Sequence, residues 1–201
     1  MDVYEAIMTR HSTRRYLEKK IEESVLLTII EAGRTAPSGC NNRMTELFVL
    51  TDPKEIGKAE KLVSNVLAGR EPEEMSYTSS SMNAAIRQAK EGRYQFAYGA
   101  PVLVVTANKK RYGNALPDSA CVIENMMLMA HALQVGSCWV NQLRWLQEEP
   151  AVAAWLYTLG LPEDEFVTGS VAFGYPAVVK EPVRKVLRPF ENPVHMLKTR
   201  G

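Results

Sequence analysis

The run Ala100-Pro101-Val102-Leu103-Val104-Val105-Thr106 is apolar up to its last residue. A strand with one solvated face alternates apolar and polar residues, whereas an unbroken apolar run marks a strand covered on both faces. The 201 residues suffice for one sizeable domain with its own core, and 46% hydrophobic against 23% charged residues is ordinary globular composition. The formal net charge of +1 argues against a chain built mainly to bind nucleic acid.

Around that run the pattern predicts further elements. Val3, Tyr4, Ile7 and Met8 form a short amphipathic helix that opens on Asp2 and Glu5, spaced as a capping box. A second helix runs from Glu22 to Arg34, with Val25, Leu26, Ile29, Ile30 and Gly33 on one face, and stops before Pro37. Leu47 to Leu50 reads as a strand and Pro53 to Leu67 as a helix. Residues 68–93 loosen into an excursion with a helix inside it, which suits a lid or binding loop. Asp118 is expected to cap a helix from Ser119 to Leu133 that is apolar nearly all round, as in a core or a subunit interface. A strand at Ser137 to Val140, a helix at Ala151 to Leu159 and a last strand at Phe166 to Phe173 follow. No repeat or linker divides the chain, so residues 1–201 read as one domain. The segment 180–201, punctuated by Pro182, Pro189 and Pro193, carries Phe190, Val194, Met196 and Leu197, as though it docks on something.

Several functional classes are disfavoured. An acid stands near the start where a signal peptide needs a basic region, and the apolar tract Ala120 to Val135 is too short and too polar to span a bilayer, so a cytoplasmic protein is expected. Cys40, Cys121 and Cys138 are odd in number and lack metal-ligand spacing, which predicts free thiols and no metal site. Neither G-x-G-x-x-G after a strand, nor a P-loop, nor G-x-S-x-G occurs. Of the histidines, His131 sits inside the apolar helix, where a hydrogen-bonded core role is expected.

Two polar segments stand out. Arg10-His11-Ser12-Thr13-Arg14-Arg15 follows the first helix. Guanidinium forks, hydroxyls and imidazole suit a phosphate that bears further acceptors, though a solvated basic turn at a helix C-terminus has the same composition. Ala36-Pro37-Ser38-Gly39-Cys40-Asn41-Asn42-Arg43 joins a helix to a strand with small residues and carboxamides. Such a loop can bring its backbone close to a flat polar ligand, and it can equally be a plain connection.

In combination these segments resemble the nitroreductase-like flavoprotein family. The likeness rests on Arg10-His11-Ser12-Thr13-Arg14, Ala36-Pro37-Ser38-Gly39-Cys40-Asn41, Gly99-Ala100-Pro101, Asp118-Ser119-Ala120, Gly136-Ser137-Cys138-Trp139-Val140 and Gly174-Tyr175-Pro176, with Arg184, Lys185 and Arg188 in the tail. The resemblance implies an α+β fold, a three-layer α-β-α sandwich around a mostly antiparallel sheet. It also implies an intertwined homodimer with FMN at the subunit interface. Arg10, His11 and Ser12 would hold the phosphate and ribityl chain, closed from the tail by Lys185 or Arg188, and Arg14 would face the pyrimidine edge. Pro37, Ser38, Gly39 and Asn41 would come from the other subunit, while Val140, Asn141 and Gln142 would pass the central ring. Arg43 and Thr45 depart from the glutamine and aromatic residue of many relatives, and Asn141 stands where some carry glutamate.

The chemistry so implied needs no protein nucleophile. NADH or NADPH would give hydride to the flavin and leave, and a nitroaromatic, quinone or related electrophile would take its place. The same resemblance admits a reductive dehalogenase, with Glu73, Glu74, Tyr77 and Arg87 gripping a zwitterionic substrate, or a flavin-binding module without turnover.

Overall fold

A computed structural model describes residues 1–72, 79–178 and 193–196. Glu73, Glu74, Tyr77, Arg184, Lys185 and Arg188 lie outside the described residues.

The apolar run becomes the heart of the sheet. Strand β2 (Val102–Lys109) is buried along its length up to Lys109 and pairs antiparallel with β1 (Glu46–Leu50) on one side and β4 (Glu165–Gly174) on the other. Strand β3 (Gly136–Val140) pairs with the far edge of β4, giving the order β1-β2-β4-β3 with every pair antiparallel. Alternation then sends Val102 and Val104 into one core and Leu103 and Val105 into the other. The first core lies under α2 (Glu23–Arg34) and α5 (Ala115–Ala132), which meet where Gly33 leaves no space beside Met126. The second lies under α3 (Pro53–Ala68), α4 (Ser79–Lys90), α6 (Gln142–Leu146) and α7 (Pro150–Thr158). The expected three layers are therefore present, with a sheet that is wholly antiparallel among the described residues. Fully buried Ile29, Ile86, Phe96, Leu103, Ile123 and Phe173 each contribute about 1.5–3 kcal/mol of burial.

One irregularity is built into the centre. Between Thr106 and Ala107 the register with β4 shifts by one, so Thr168 has no direct partner. This is a β-bulge, and the Thr106 hydroxyl pins it by bonding to Thr168 Oγ1 at 2.8 Å and Gly169 O at 3.1 Å.

The first helix, α1 (Val3–Thr9), starts as expected, with Asp2 accepting from the Glu5 amide at 2.7 Å. Three details differ from expectation. Helix α5 begins at Ala115, four residues early, because Pro117 falls in its first turn, where a missing N–H costs nothing. Asp118 is consequently not the cap. Helix α6, five residues long, is invisible to any periodicity argument. Within residues 68–93, Ala85, Ile86 and Ala89 of α4 belong to the second core. No helix among the described residues is long and apolar enough to cross a membrane.

Candidate active site

The basic segment leaves α1 in extended conformation, with Arg10 at φ −54° and ψ 132°. It then runs beside β3: Ser12 bridges Ser137, the Thr13 amide donates to Ser137 O at 2.8 Å, and the Leu17 amide to Tyr175 O at 2.8 Å. Extended backbone alternates its side chains. Ser12, Arg14 and Tyr16 turn toward the second core, where Arg14 lies over the Tyr98 ring at 5.9 Å and Ser12 bonds the Cys138 thiol. His11, Thr13 and Leu17 turn the other way and line a cavity of about 600 Å³ with Lys19, Gln134 and Tyr175. His11 thus stands apart from Ser12, edge-on to His131 with ring centroids 5.9 Å apart. His131 bonds Thr9 Oγ1 at 2.8 Å, hydrogen-bonded as expected, but it is half-buried and lines this cavity instead of sitting in the core.

Arg10 is mostly buried. Its Nε lies 3.6 Å from Glu124 Oε1, and its buried Nη1 has no hydrogen-bond partner among the described residues. Arg14 is exposed, and the Tyr98 hydroxyl raises its pKa further, so the guanidinium is a permanent cation. Burial pushes the Cys138 thiol up, against the opposing pull of Arg14, so it stays protonated at neutral pH. Tyr16 is also pushed up by burial, and its hydroxyl donates to Thr13 O at 2.8 Å.

The turn from β3 into α6 continues this surface. Val140 is buried, and its carbonyl accepts from Ser170 Oγ at 2.9 Å. Asn141 Oδ1 accepts from Trp139 Nε1 at 3.0 Å. Gln142 Nε2 donates to the Tyr94 hydroxyl at 2.7 Å, while Gln142 Oε1 is buried without a partner among the described residues. Burial keeps Tyr94 protonated, and Tyr98 stands close enough to add to that shift. Two polar pairs, Arg14 with Tyr98 and Gln142 with Tyr94, therefore border the same core.

The loop carrying Pro37, Ser38, Gly39 and Asn41 lies elsewhere. The Gly39 amide donates to both carboxylate oxygens of Asp118, at 3.1 and 3.2 Å, and Tyr112 Oη donates to Asp118 Oδ2 at 2.8 Å. A β-carbon at Gly39 would fall 2.3 Å from Asn114 Nδ2 and 2.6 Å from Tyr112 Oη. Ser38 Oγ accepts the Arg43 amide at 3.0 Å, and Asn41 Oδ1 accepts Arg43 Nε at 3.0 Å. Cys40, Asn41 and Arg43 all have left-handed backbone, at φ 52°, 55° and 50°. Asparagine tolerates this conformation, but at Cys40 and Arg43 it costs about 1–2 kcal/mol each, so this bonding holds a strained loop in shape. Thr45 joins Ser119 Oγ at 3.2 Å and Asn108 Nδ2 at 3.1 Å.

Loop and basic face are kept apart within one chain. Ala36 packs in the core beneath α2 and α5, whereas Tyr16, Tyr94, Tyr98, Cys138 and Val140 belong to the core on the other side of the sheet. Asp118 anchors the loop in the first turn of α5, and His131, beside His11, lies thirteen residues along that helix. That spacing is about 20 Å, whereas Glu124, beside Arg10, lies six residues or about 9 Å along the helix from Asp118. Tyr98 and the anchoring role of Asp118 were not singled out by sequence, whereas Tyr94 was expected beside a substrate lid; the Tyr98-Gly99 pair ahead of a strand was the available signal.

Comparison with known proteins gives a consistent result. A model of the Nitroreductase family matches residues 7–175. The chain is similar to a nitroreductase of Bacteroides fragilis solved with bound FMN: 31% identity, 97% of this chain and 100% of that one covered, TM-score 0.83. A nitroreductase of Desulfitobacterium hafniense, also solved with FMN, superposes with a TM-score of 0.80 over 98% of this chain and 100% of that one, at 24% identity. A Methanothermobacter thermautotrophicus protein, provisionally named an NADH dehydrogenase/NAD(P)H nitroreductase, is 24% identical over 88% of this chain and 78% of its own length.

Proposed function

The chain belongs to the nitroreductase family, and we propose that it is an NAD(P)H-dependent oxidoreductase that binds FMN between two copies of itself and reduces a nitroaromatic, quinone or related conjugated electrophile. The observation that carries this reading is the extended segment from Arg10 to Arg14. At one end a buried guanidinium nitrogen has no acceptor among the described residues, a costly arrangement that a phosphate oxygen relieves. At the other end an exposed cation meets the Tyr98 face, and four residue steps of extended chain separate the two by about 13 Å. FMN fits this donor set, since it pairs a phosphate with a ring that carries both acceptors and an N–H, and the orphaned Gln142 Oε1 suits that N–H.

Arg10 and Ser12 hold the phosphate end, with Lys185 or Arg188 of the tail as further candidates, and Arg14 holds the pyrimidine edge. Pro37, Ser38, Gly39 and Asn41 reach the cofactor from the second copy, because in their own chain they lie on the opposite side of the sheet. Bound FMN supplies two-electron chemistry, hydride from the nicotinamide being passed on to the acceptor. The protein orients both reactants in one pocket that they occupy in turn, and its fixed cation stabilises charge that develops at the ring. Cys138, neutral and buried, adds no competing thiolate.

The experiment is an absorption spectrum of the purified protein, an FMN titration of the apoprotein, then anaerobic NADH and NADPH, with light scattering for mass. A yellow dimer bleached by at least one nicotinamide is expected. A protein that takes up no FMN sinks the reading, and one that binds it without being reduced is a flavin carrier.

A further inference from the structure

Tyr98 carries a backbone that its side chain disfavours. Its φ is +58°, and Gly99 follows at +70°. Glycine enters this region freely and asparagine at low cost, whereas a bulky residue there is a conformational outlier whose retention asks for a reason. The surroundings enforce it. Phe96 and Ala97 are fully buried, the Ala97 amide donates to Glu60 Oε1 at 3.1 Å, and the Ala100 amide closes onto Ala97 O at 3.0 Å. The turn into β2 is thereby clamped, and the ring of Tyr98 points where that clamp sends it. What it meets is Arg14, whose Cζ lies 5.9 Å from the ring centroid, inside the range of a cation–π contact. Among the described residues Arg14 makes no ion pair with a carboxylate, so the tyrosine is its chief restraint.

We propose that Tyr98 is the positioning residue for Arg14: its strained backbone holds an aromatic face against the guanidinium and so fixes the cation at the pyrimidine edge of FMN. The proposal rests on the FMN reading above. A freely rotating arginine spreads its charge over many rotamers and into water, while a restrained one keeps it at the ring, where it favours the reduced cofactor over the oxidised one.

The test separates strain from positioning. Tyr98→Gly removes the ring, with its packing on the second core, and relieves the backbone, so the apoprotein's thermal midpoint should fall less than that of Tyr98→Ala, which loses the ring and keeps the strain. The FMN-loaded variant should bind reduced FMN about tenfold less tightly relative to oxidised FMN, read as a fall of about 30 mV in the two-electron midpoint potential. Arg14→Ala should show a fall of similar sign, and adding Tyr98→Gly to it should change the potential no further. If Tyr98→Gly leaves the potential at the wild-type value while Arg14→Ala lowers it, the proposal is wrong and the FMN reading stands. If Arg14→Ala itself leaves the potential unchanged, both the placement of Arg14 and the proposal fall. Should Tyr98→Gly not fold, Tyr98→Asn tolerates the same backbone and is judged by the same potential.

Discussion

Gly136 sits so close to Thr13 that a β-carbon would lie 2.6 Å from its Oγ1 and 2.8 Å from both its Cβ and Cγ2. Thr13 is tied down by its own amide bond to Ser137 O, so it cannot yield without moving the segment from Arg10 to Arg14. Gly136→Ala should therefore cost about 1–3 kcal/mol in urea unfolding, the usual penalty of overpacking, and weaken FMN uptake with it. Thr13→Ala in the same chain removes the Oγ1 and Cγ2 contacts but keeps the Cβ at 2.8 Å, so it should recover only part of both losses. Thr13→Gly removes all three contacts and should recover more; a Thr13→Gly double variant as weak as Gly136→Ala would show that the collision lies elsewhere. The residues of this segment were legible in the sequence as a polar group suited to phosphate. Their division into two faces was not, because alternation becomes visible only once β3 is known to lie alongside. His11 shows this most clearly: adjacent to Ser12 in sequence, it lines a cavity on the other face of the segment.

Glu60 of α3 anchors the loop ahead of β2, and burial raises its pKa despite the Ala97 amide pulling the other way. A carboxyl whose native pKa is raised binds its proton more tightly folded than unfolded. Its contribution is complete below the unfolded value of about 4.3 and is lost as pH rises through the native one. Glu60→Gln keeps an acceptor for Ala97 and removes the titration. Its urea-derived stability should fall less between pH 4 and pH 7 than that of the wild-type protein, and parallel curves would reject the assignment. Elements with strong periodicity or an unbroken apolar run, such as α2, α3 and β2, could be read from residue order. Helix α6 could not, being too short for a period, and the start of α5 was obscured by Pro117, a residue that breaks helices everywhere except in their first turn. The loop from Pro37 to Asn41 was recognisable by composition, but its left-handed residues depend on Asp118, some eighty positions away.

At the level of the molecule, the sheet separates Arg14 and the Val140 to Gln142 turn from the loop of Pro37 to Asn41, while Arg10 and His11 reach round to α5 beside Glu124 and His131. No arrangement of single residues predicts that division; it follows from which strand faces which helix layer. In the proposed dimer each FMN takes Arg14 from one copy and the Gly39 loop from the other. Gly39→Ala forces the Asn114 amide and the Tyr112 hydroxyl away from the loop, and with the latter its bond to Asp118, so it should perturb the loop's contribution while leaving Arg14 intact. Inheritance then becomes a structural assay. A cell carrying one allele with Arg14→Ala and another with Gly39→Ala would build mixed dimers in which one site holds both lesions and the other holds neither. Co-expression and tandem-tag purification of that heterodimer should recover one FMN and close to half the wild-type turnover per dimer, where each mutant alone is poor. A heterodimer no better than its parents would mean that each chain completes its site unaided. Two defective genes would thus encode a working protein, a form of allelic rescue available only because the sheet keeps the halves of the site apart.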